Sequence, residues 1–214
     1  VLAGGITSVY QLARATRRRQ ERRAPRDANR LPGTYDEFDR QVSRPSDAQV
    51  NMSEFRVAVG KEVLVFAAAH FITYGEGGCE GLHGHNYRVG VTLTGDLDRH
   101  ALVYDFIALR RDMEGFLAEL DHRVLLPESN PELTLARSGH EVEVRHSARR
   151  YVFPESDVIV LPLPNTTAEK IAEYLGSLLE ASLEARPGIR VGRLAVEVEE
   201  TPGQSAFWIS SVGP

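Results

Sequence analysis

The chain reads as an α+β domain with strands at both ends and two helices between, in the order ββ, α, an inserted β excursion, α, ββ. Two patterns predict it. Residues 83–95 and 191–212 alternate apolar with polar at period two, as half-buried strands do. Residues 105–120 and 165–185 each carry an apolar stripe at helical spacing. With 214 residues, 42% hydrophobic and 26% charged, the composition suits one globular domain of ordinary core size.

The first part of the chain stands outside that pattern. "ATRRRQERRAPRDANR" is basic and aperiodic beyond a short helical stretch around Val9 to Ala15. "LPGTYDEFDRQVSRPSDAQVN" has the Pro, Asp, Ser and Gly content of a linker. Ten arginines and no lysine precede Met52. Targeting segments are also Arg-rich, but the acidic residues and the lack of an apolar centre argue against a secretory signal. Met52 is the first methionine. Residues 1–51 are therefore expected to be a disordered tail or a non-native extension, and residues 52–214 the working domain.

From Glu54 the elements follow in order. "FRVAVGKEVLVFAAAHF" predicts strand, broken by a turn or bulge near Gly60 and Lys61. "HGHNYRVGVTLTG" sets Tyr87, Val89, Val91 and Leu93 on one face of a second strand. "DFIALRRDMEGFLAEL" aligns Phe106, Leu109, Met113, Phe116, Leu117 and Leu120 on one side of a helix with Asp105 as N-cap. "GHEVEVRHSARRYVFPESDVIVLPLP" predicts a hairpin or extended excursion, and the inserted region runs from about 133 to 164. "NTTAEKIAEYLGSLLEASLEA" buries Ile171, Tyr174, Leu175, Leu178 and Leu179 and stops before "RPG". Its Thr166, Thr167 and Glu169 have the spacing of a capping box. "VGRLAVEVEET" and "QSAFWISSV" close the domain around the turn "TPGQ".

Composition also excludes function classes. A net charge of −5 and a pI near 5.8 do not suggest a general nucleic-acid binder, which would need a basic face for phosphates. No apolar run approaches the roughly 20 residues needed to span a bilayer. The single cysteine rules out an intramolecular disulfide and fits a reducing cytoplasm.

"CEGLHGHNY" concentrates the chemistry. On a strand, His83 and His85 project to one side, and His70 ends the preceding strand, its natural partner. Three imidazoles converging in this way suit zinc with a fourth position open, whereas an isolated H-x-H pair is often only a hydrogen-bonded surface feature. Cys79, four residues ahead in the Gly-rich "GEGGCEGLHGH", is poorly placed for apolar burial. It reads as a base or nucleophile beside a metal, or as a fourth ligand. A cupin would place a glutamate shortly after the pair, where Val89 and Gly90 stand; a metallo-β-lactamase would continue Asp-His, where Asn86 and Tyr87 follow.

In "LDHRVLL", Asp121 and His122 form either a proton relay or a helix-end histidine on the dipole. Glu197 and Glu199 fall on a solvent face, and Glu200 lies in phase with Val196 and Val198 on the apolar side, where a carboxylate needs N–H donors from a ligand. His100, His140 and His146 read as loop or surface histidines.

Taken in order, "FAAAHF", "CEGLHGHNYRV", "VYDFIALR", "LDHRVL", "NTTAEKIAEYL" and "VEVEET" resemble the 6-pyruvoyl-tetrahydropterin synthase / 6-carboxytetrahydropterin synthase family across residues 62–201 outside the excursion. The resemblance implies a tunnelling fold: an antiparallel four-stranded sheet with two helices on one face, subunits pairing sheet edges into a barrel, typically a homohexamer. It implies a small-molecule pterin substrate, 7,8-dihydroneopterin triphosphate, with Zn2+ held by His70, His83 and His85. Cys79 is then the general base, Asp121 and His122 the second acid/base pair, and Glu200 the pterin anchor with Thr166–Thr167. The short C-x-x-x-H-G-H spacing resembles the 6-carboxytetrahydropterin synthases of queuosine biosynthesis, which release acetaldehyde and triphosphate. E-x-x-H-G-H, through Glu80, resembles instead the subtype that cleaves the side chain to 6-hydroxymethyldihydropterin for folate. Pyruvoyl-tetrahydropterin formation and a non-catalytic pterin- or zinc-binding assembly are the remaining alternatives.

Overall fold

In a computed structural model of the protein, the structure describes residues 54–186, 188 and 190–212. The expected tail, 1–51, lies outside them. Strand β1 (Phe55–Val59) and β2 (Val65–His70) both lie antiparallel on one edge of β5 (His83–Gly95). They behave as one strand interrupted at Gly60–Leu64. The break is where the sequence predicts it, and it lets Lys61 reach across the sheet to Glu197 at 2.8 Å and Glu199 at 2.7 Å. Those two glutamates thus share a face, as expected, but Glu199 is buried against the lysine rather than solvated. On the other edge of β5 follow β11 (Val191–Thr201) and β12 (Gln204–Ser211), both antiparallel.

These four tracks make the expected antiparallel unit, but the expectation of a four-stranded sheet needs correction. Two further strands, β6 (Arg123–Pro127) and β10 (Val158–Leu161), extend the sheet beyond β2, giving seven strand segments in a mixed sheet. Both additions are parallel to their neighbours. Parallel neighbours require crossover connections, and the chain supplies two. The first is α1 (Phe106–Leu120), between β5 and β6; the second is the excursion, between β6 and β10.

Period-two alternation puts Phe66, Ala68, Tyr87, Val89, Val91, Leu93, Leu194, Val196 and Val198 on one buried face. Both helices cover it: α1 lies over β1, β2 and β6, and α2 (Ala168–Glu184) over β11 and β12. Asp105 caps α1 by accepting from the Ile107 N–H at 2.9 Å. Its stripe buries Leu109, Met113, Leu117 and Leu120, whereas Phe106 is exposed. Helical side chains lean toward the N-terminus, so the ring of the first helical residue projects past the packed turn. At α2 the N-cap is Thr167, accepting from Lys170 N–H at 3.4 Å. The third helical residue is therefore Lys170, and Glu169 does not close the expected capping box.

The excursion is a three-stranded antiparallel meander, β7 (Thr134–Ser138), β8 (Glu141–His146) and β9 (Arg149–Pro154). Its Val142 and Val144 pack with Phe71, Cys79 and Leu126 in a second apolar cluster, which Tyr151 and Phe153 flank. This cluster lays the meander against a small hairpin, β3 (Thr73–Tyr74) and β4 (Gly78–Cys79). Among the described residues, no helix is long and apolar enough to cross a membrane.

Candidate active site

The β2–β5 register places His70 opposite His83 and Ala68 opposite His85. The one-residue alternation of β5 then turns His83 and His85 to the helix side, in phase with Tyr87. The ligand atoms of His70, His83 and His85 all lie within 4.8 Å of one another. His70 Nδ1 is 2.9 Å from the Thr166 carbonyl, and His83 Nδ1 is 2.9 Å from the Gly81 carbonyl. A carbonyl only accepts, so each Nδ1 carries a proton and donates it there, which fixes the ring orientation and turns Nε2 away from that carbonyl. His85 Nε2 is buried without a hydrogen-bond partner. Burial also pushes His70 below the ordinary histidine range, against the pull of the Thr166 carbonyl and the Glu200 carboxylate. Three converging imidazoles, two of them oriented by backbone carbonyls, with one orphaned buried nitrogen fit a bound divalent metal.

Glu200 and Tyr87 complete the cluster. Glu200 Oε1 lies 3.3 Å from His70 Nε2 and 3.9 Å from His85 Nε2. The Tyr87 hydroxyl donates to Glu200 at 3.3 Å and sits 3.1 Å from His70 Nε2. Burial, then the Glu200 charge, hold the Tyr87 proton on well above its usual range. The alternation that aligns His83 with His85 extends to Tyr87, so its place beside the histidine cluster is legible from spacing, although the same spacing also suits an ordinary apolar strand residue.

Cys79 sits apart from where its glycine-rich surroundings would put it. It is 8% exposed, inside the second apolar cluster. The expectation that this loop is poor ground for burial is therefore corrected: the excursion, far off in sequence, provides the apolar wall. Burial pushes the thiol up, and Arg149 opposes that rise. Arg149 Nη1 donates to the Cys79 carbonyl at 2.9 Å and also to the Glu80 carbonyl. The Glu80 carboxylate lies 3.8 Å from His83 Nε2. His146, expected at the surface, is buried beside Glu132 at 3.5 Å. His100 and His140 are exposed as expected.

Asp121 and His122 do form a pair, at 2.8 Å. The Asp121 carboxylate also accepts from the Ala67 N–H at 2.8 Å, and His122 takes a left-handed φ of 58° that swings the chain from α1 into β6. Partial burial alone would raise Asp121; the Ala67 N–H and His122 outweigh it and hold the carboxyl below its usual range. His122 is 83% exposed and borders a groove of about 490 Å³ with Arg123 and Asp157. Among the described residues, no hydrogen bond or ion pair joins this dyad to the three histidines or Cys79. Thr166 is fully buried, donating its hydroxyl to the Phe71 carbonyl, and reaches the site through its own carbonyl on His70; Thr167 serves as the helix cap.

Residues 60–209 match the sequence profile of 6-pyruvoyl tetrahydropterin synthase. The chain belongs to this family. A Methanocaldococcus jannaschii relative is 31% identical over 146 residues, 68% of this chain and 89% of its own length. The 6-carboxy-5,6,7,8-tetrahydropterin synthase of Aquifex aeolicus is 28% identical over 124 residues, 53% of this chain and 70% of its own. The 6-pyruvoyltetrahydropterin synthase of Plasmodium vivax, solved with a catalytic glutamate replaced by alanine, is 27% identical and superposes with a TM-score of 0.70, covering 74% of this chain and 99% of its own.

Proposed function

We propose that the protein is a cytoplasmic, zinc-dependent lyase that converts 7,8-dihydroneopterin triphosphate to 6-carboxy-5,6,7,8-tetrahydropterin, releasing acetaldehyde and triphosphate for queuosine biosynthesis. The observation that carries this reading is the convergence of ring nitrogens of His70, His83 and His85 within 4.8 Å of one another, in a chain whose Aquifex aeolicus relative is named for that product. When bound, zinc supplies Lewis acidity to the substrate's side-chain hydroxyls. The chain's own groups do the rest. Cys79 takes and returns a side-chain proton, Asp121 orients His122 as the second acid/base group, and Glu200 receives N–H donors of the pterin ring.

Since His122 is not linked to the histidines within one copy, a homo-oligomer of hexamer type fits the reading. The β12 edge supports it, with Phe207 and Ile209 exposed on the helix-free face.

One observation favours a second reading. Glu80 is near His83 while the Cys79 thiol is turned to the Glu80 carbonyl at 3.4 Å, and a glutamate is catalytic in the Plasmodium vivax relative. A Glu80 base would cleave the side chain to 6-hydroxymethyldihydropterin.

Product analysis by mass spectrometry, with the zinc-loaded chain and 7,8-dihydroneopterin triphosphate, separates the two. Carboxytetrahydropterin with acetaldehyde, abolished in Cys79→Ala, is expected. Hydroxymethyldihydropterin that survives Cys79→Ala and vanishes in Glu80→Ala would establish the second reading. No product of either kind would overturn both.

A further inference from the structure

The excursion's contact with the Cys79 segment has no part in the chemistry above, yet it is specific. Arg149 opens β9 directly opposite the buried His146, whose partner is Glu132. Its side chain is solvent-exposed, but one nitrogen, Nη1, serves two successive carbonyls, those of Cys79 and Glu80. Two charge-assisted hydrogen bonds from one guanidinium hold a short segment more firmly than one. On the thiol side, Val142 and Val144 from β8 close the apolar wall. The segment is thus gripped on its backbone and packed on its side chain by the same insert.

We propose that Arg149 is a positioning residue, a donor from the excursion that pins the Cys79–Glu80 segment and thereby governs the reactivity of the Cys79 thiol. The inference rests on the reading of Cys79 as a proton-transfer group. The charged groups around the thiol are Arg149 from β9, Glu80 next to it in the chain, and Glu132 from the loop ahead of β7. Of these, Arg149 alone favours the thiolate; both carboxylates and burial disfavour it. Removing the guanidinium does two separable things. It frees the segment from the apolar wall, and it leaves the thiol with carboxylates as its only charged neighbours.

Cys79 is the sole cysteine of the whole chain, so iodoacetamide alkylation followed across pH reads this group alone. In Arg149→Ala, the limiting rate at high pH is expected to rise several-fold and the pH midpoint to move upward. Arg149→Lys, which keeps the charge without the planar donor, should restore the midpoint and leave the limiting rate raised; it also serves if the alanine variant does not fold. Arg150→Ala, which breaks only the pairing with Glu143 one residue along β9, should alkylate as the parent does. A parent-like rate and midpoint in Arg149→Ala would overturn the proposal, as would equal changes in Arg150→Ala, which would mean general loosening of the meander. Alkylation needs no pterin. Shifted alkylation in a chain that turns over no dihydroneopterin triphosphate would therefore overturn the catalytic reading and leave the role of Arg149 standing.

Discussion

His70 and His83 each anchor one ring nitrogen on a backbone carbonyl, Thr166 for the first and Gly81 for the second. These two rings are thereby oriented by the protein's own backbone, and His85 Nε2 is buried without a protein hydrogen-bond partner among the described residues. Replacing His85 with alanine removes one nitrogen of the proposed zinc centre but no side-chain hydrogen bond seen among the described residues. The expected outcome is a chain with unchanged far-UV circular dichroism and zinc content after dialysis near zero by mass spectrometry of the metal. The loss of affinity should exceed the roughly 10–100-fold typical of removing an outer hydrogen-bond partner. Retention of one zinc per chain in His85→Ala would count against the three-histidine centre.

The two helical glycines lie on different faces: Gly176 on the buried, sheet-facing side of α2 and Gly115 on the exposed side of α1. On α2, a Cβ at Gly176 would fall 2.1 Å from Cε3 of the Trp208 ring on β12. Neither a packed indole nor the strand below it yields at little cost, so Gly176→Ala should destabilise by about 1–3 kcal/mol, the usual range for overpacking. On α1, a Cβ at Gly115 meets nothing within 4 Å. There the helix preference for alanine acts alone, and Gly115→Ala should stabilise by up to about 1 kcal/mol. Urea unfolding midpoints of the two variants should move in opposite directions. Movement in the same direction would mean that α2 does not rest on β12 as closely as the structure shows.

Across the whole molecule, the sheet ends at β12 with its outer backbone groups unpaired among the described residues, and Phe207, 60% exposed, beside Ile209 at 50%. A bare edge with apolar side chains invites another strand. Phe207→Glu puts a charge into any such interface without touching the helix-side core. Light scattering after size exclusion should report a smaller assembly for this variant than for the parent. An unchanged mass would place the subunit contacts elsewhere. At the other end of the sheet, β6 and β10 bring in the excursion, so the insert borders the Cys79 segment instead of hanging free in solvent.

What could be read from the chain alone was what short-range periodicity encodes. Strand β5 spans the residues its alternation predicts, and the same alternation aligns His83 with His85; the α2 stripe and the phase of Glu200 follow by the same local rule. The break at Gly60 was likewise legible, because backbone geometry depends on neighbours a few residues away. Tertiary structure decided the rest, for a different physical reason. Burial and charge are set by whichever distant segment arrives. Cys79 became buried through Val142 and Val144, more than sixty residues later, and its backbone is held by Arg149. His146 left the surface for Glu132. The short apolar runs at 123–127 and 158–161 joined the main sheet as parallel strands because two crossovers carried them there. Whether an apolar run lies in an insert or a core sheet depends on where the chain returns, and no local pattern records that.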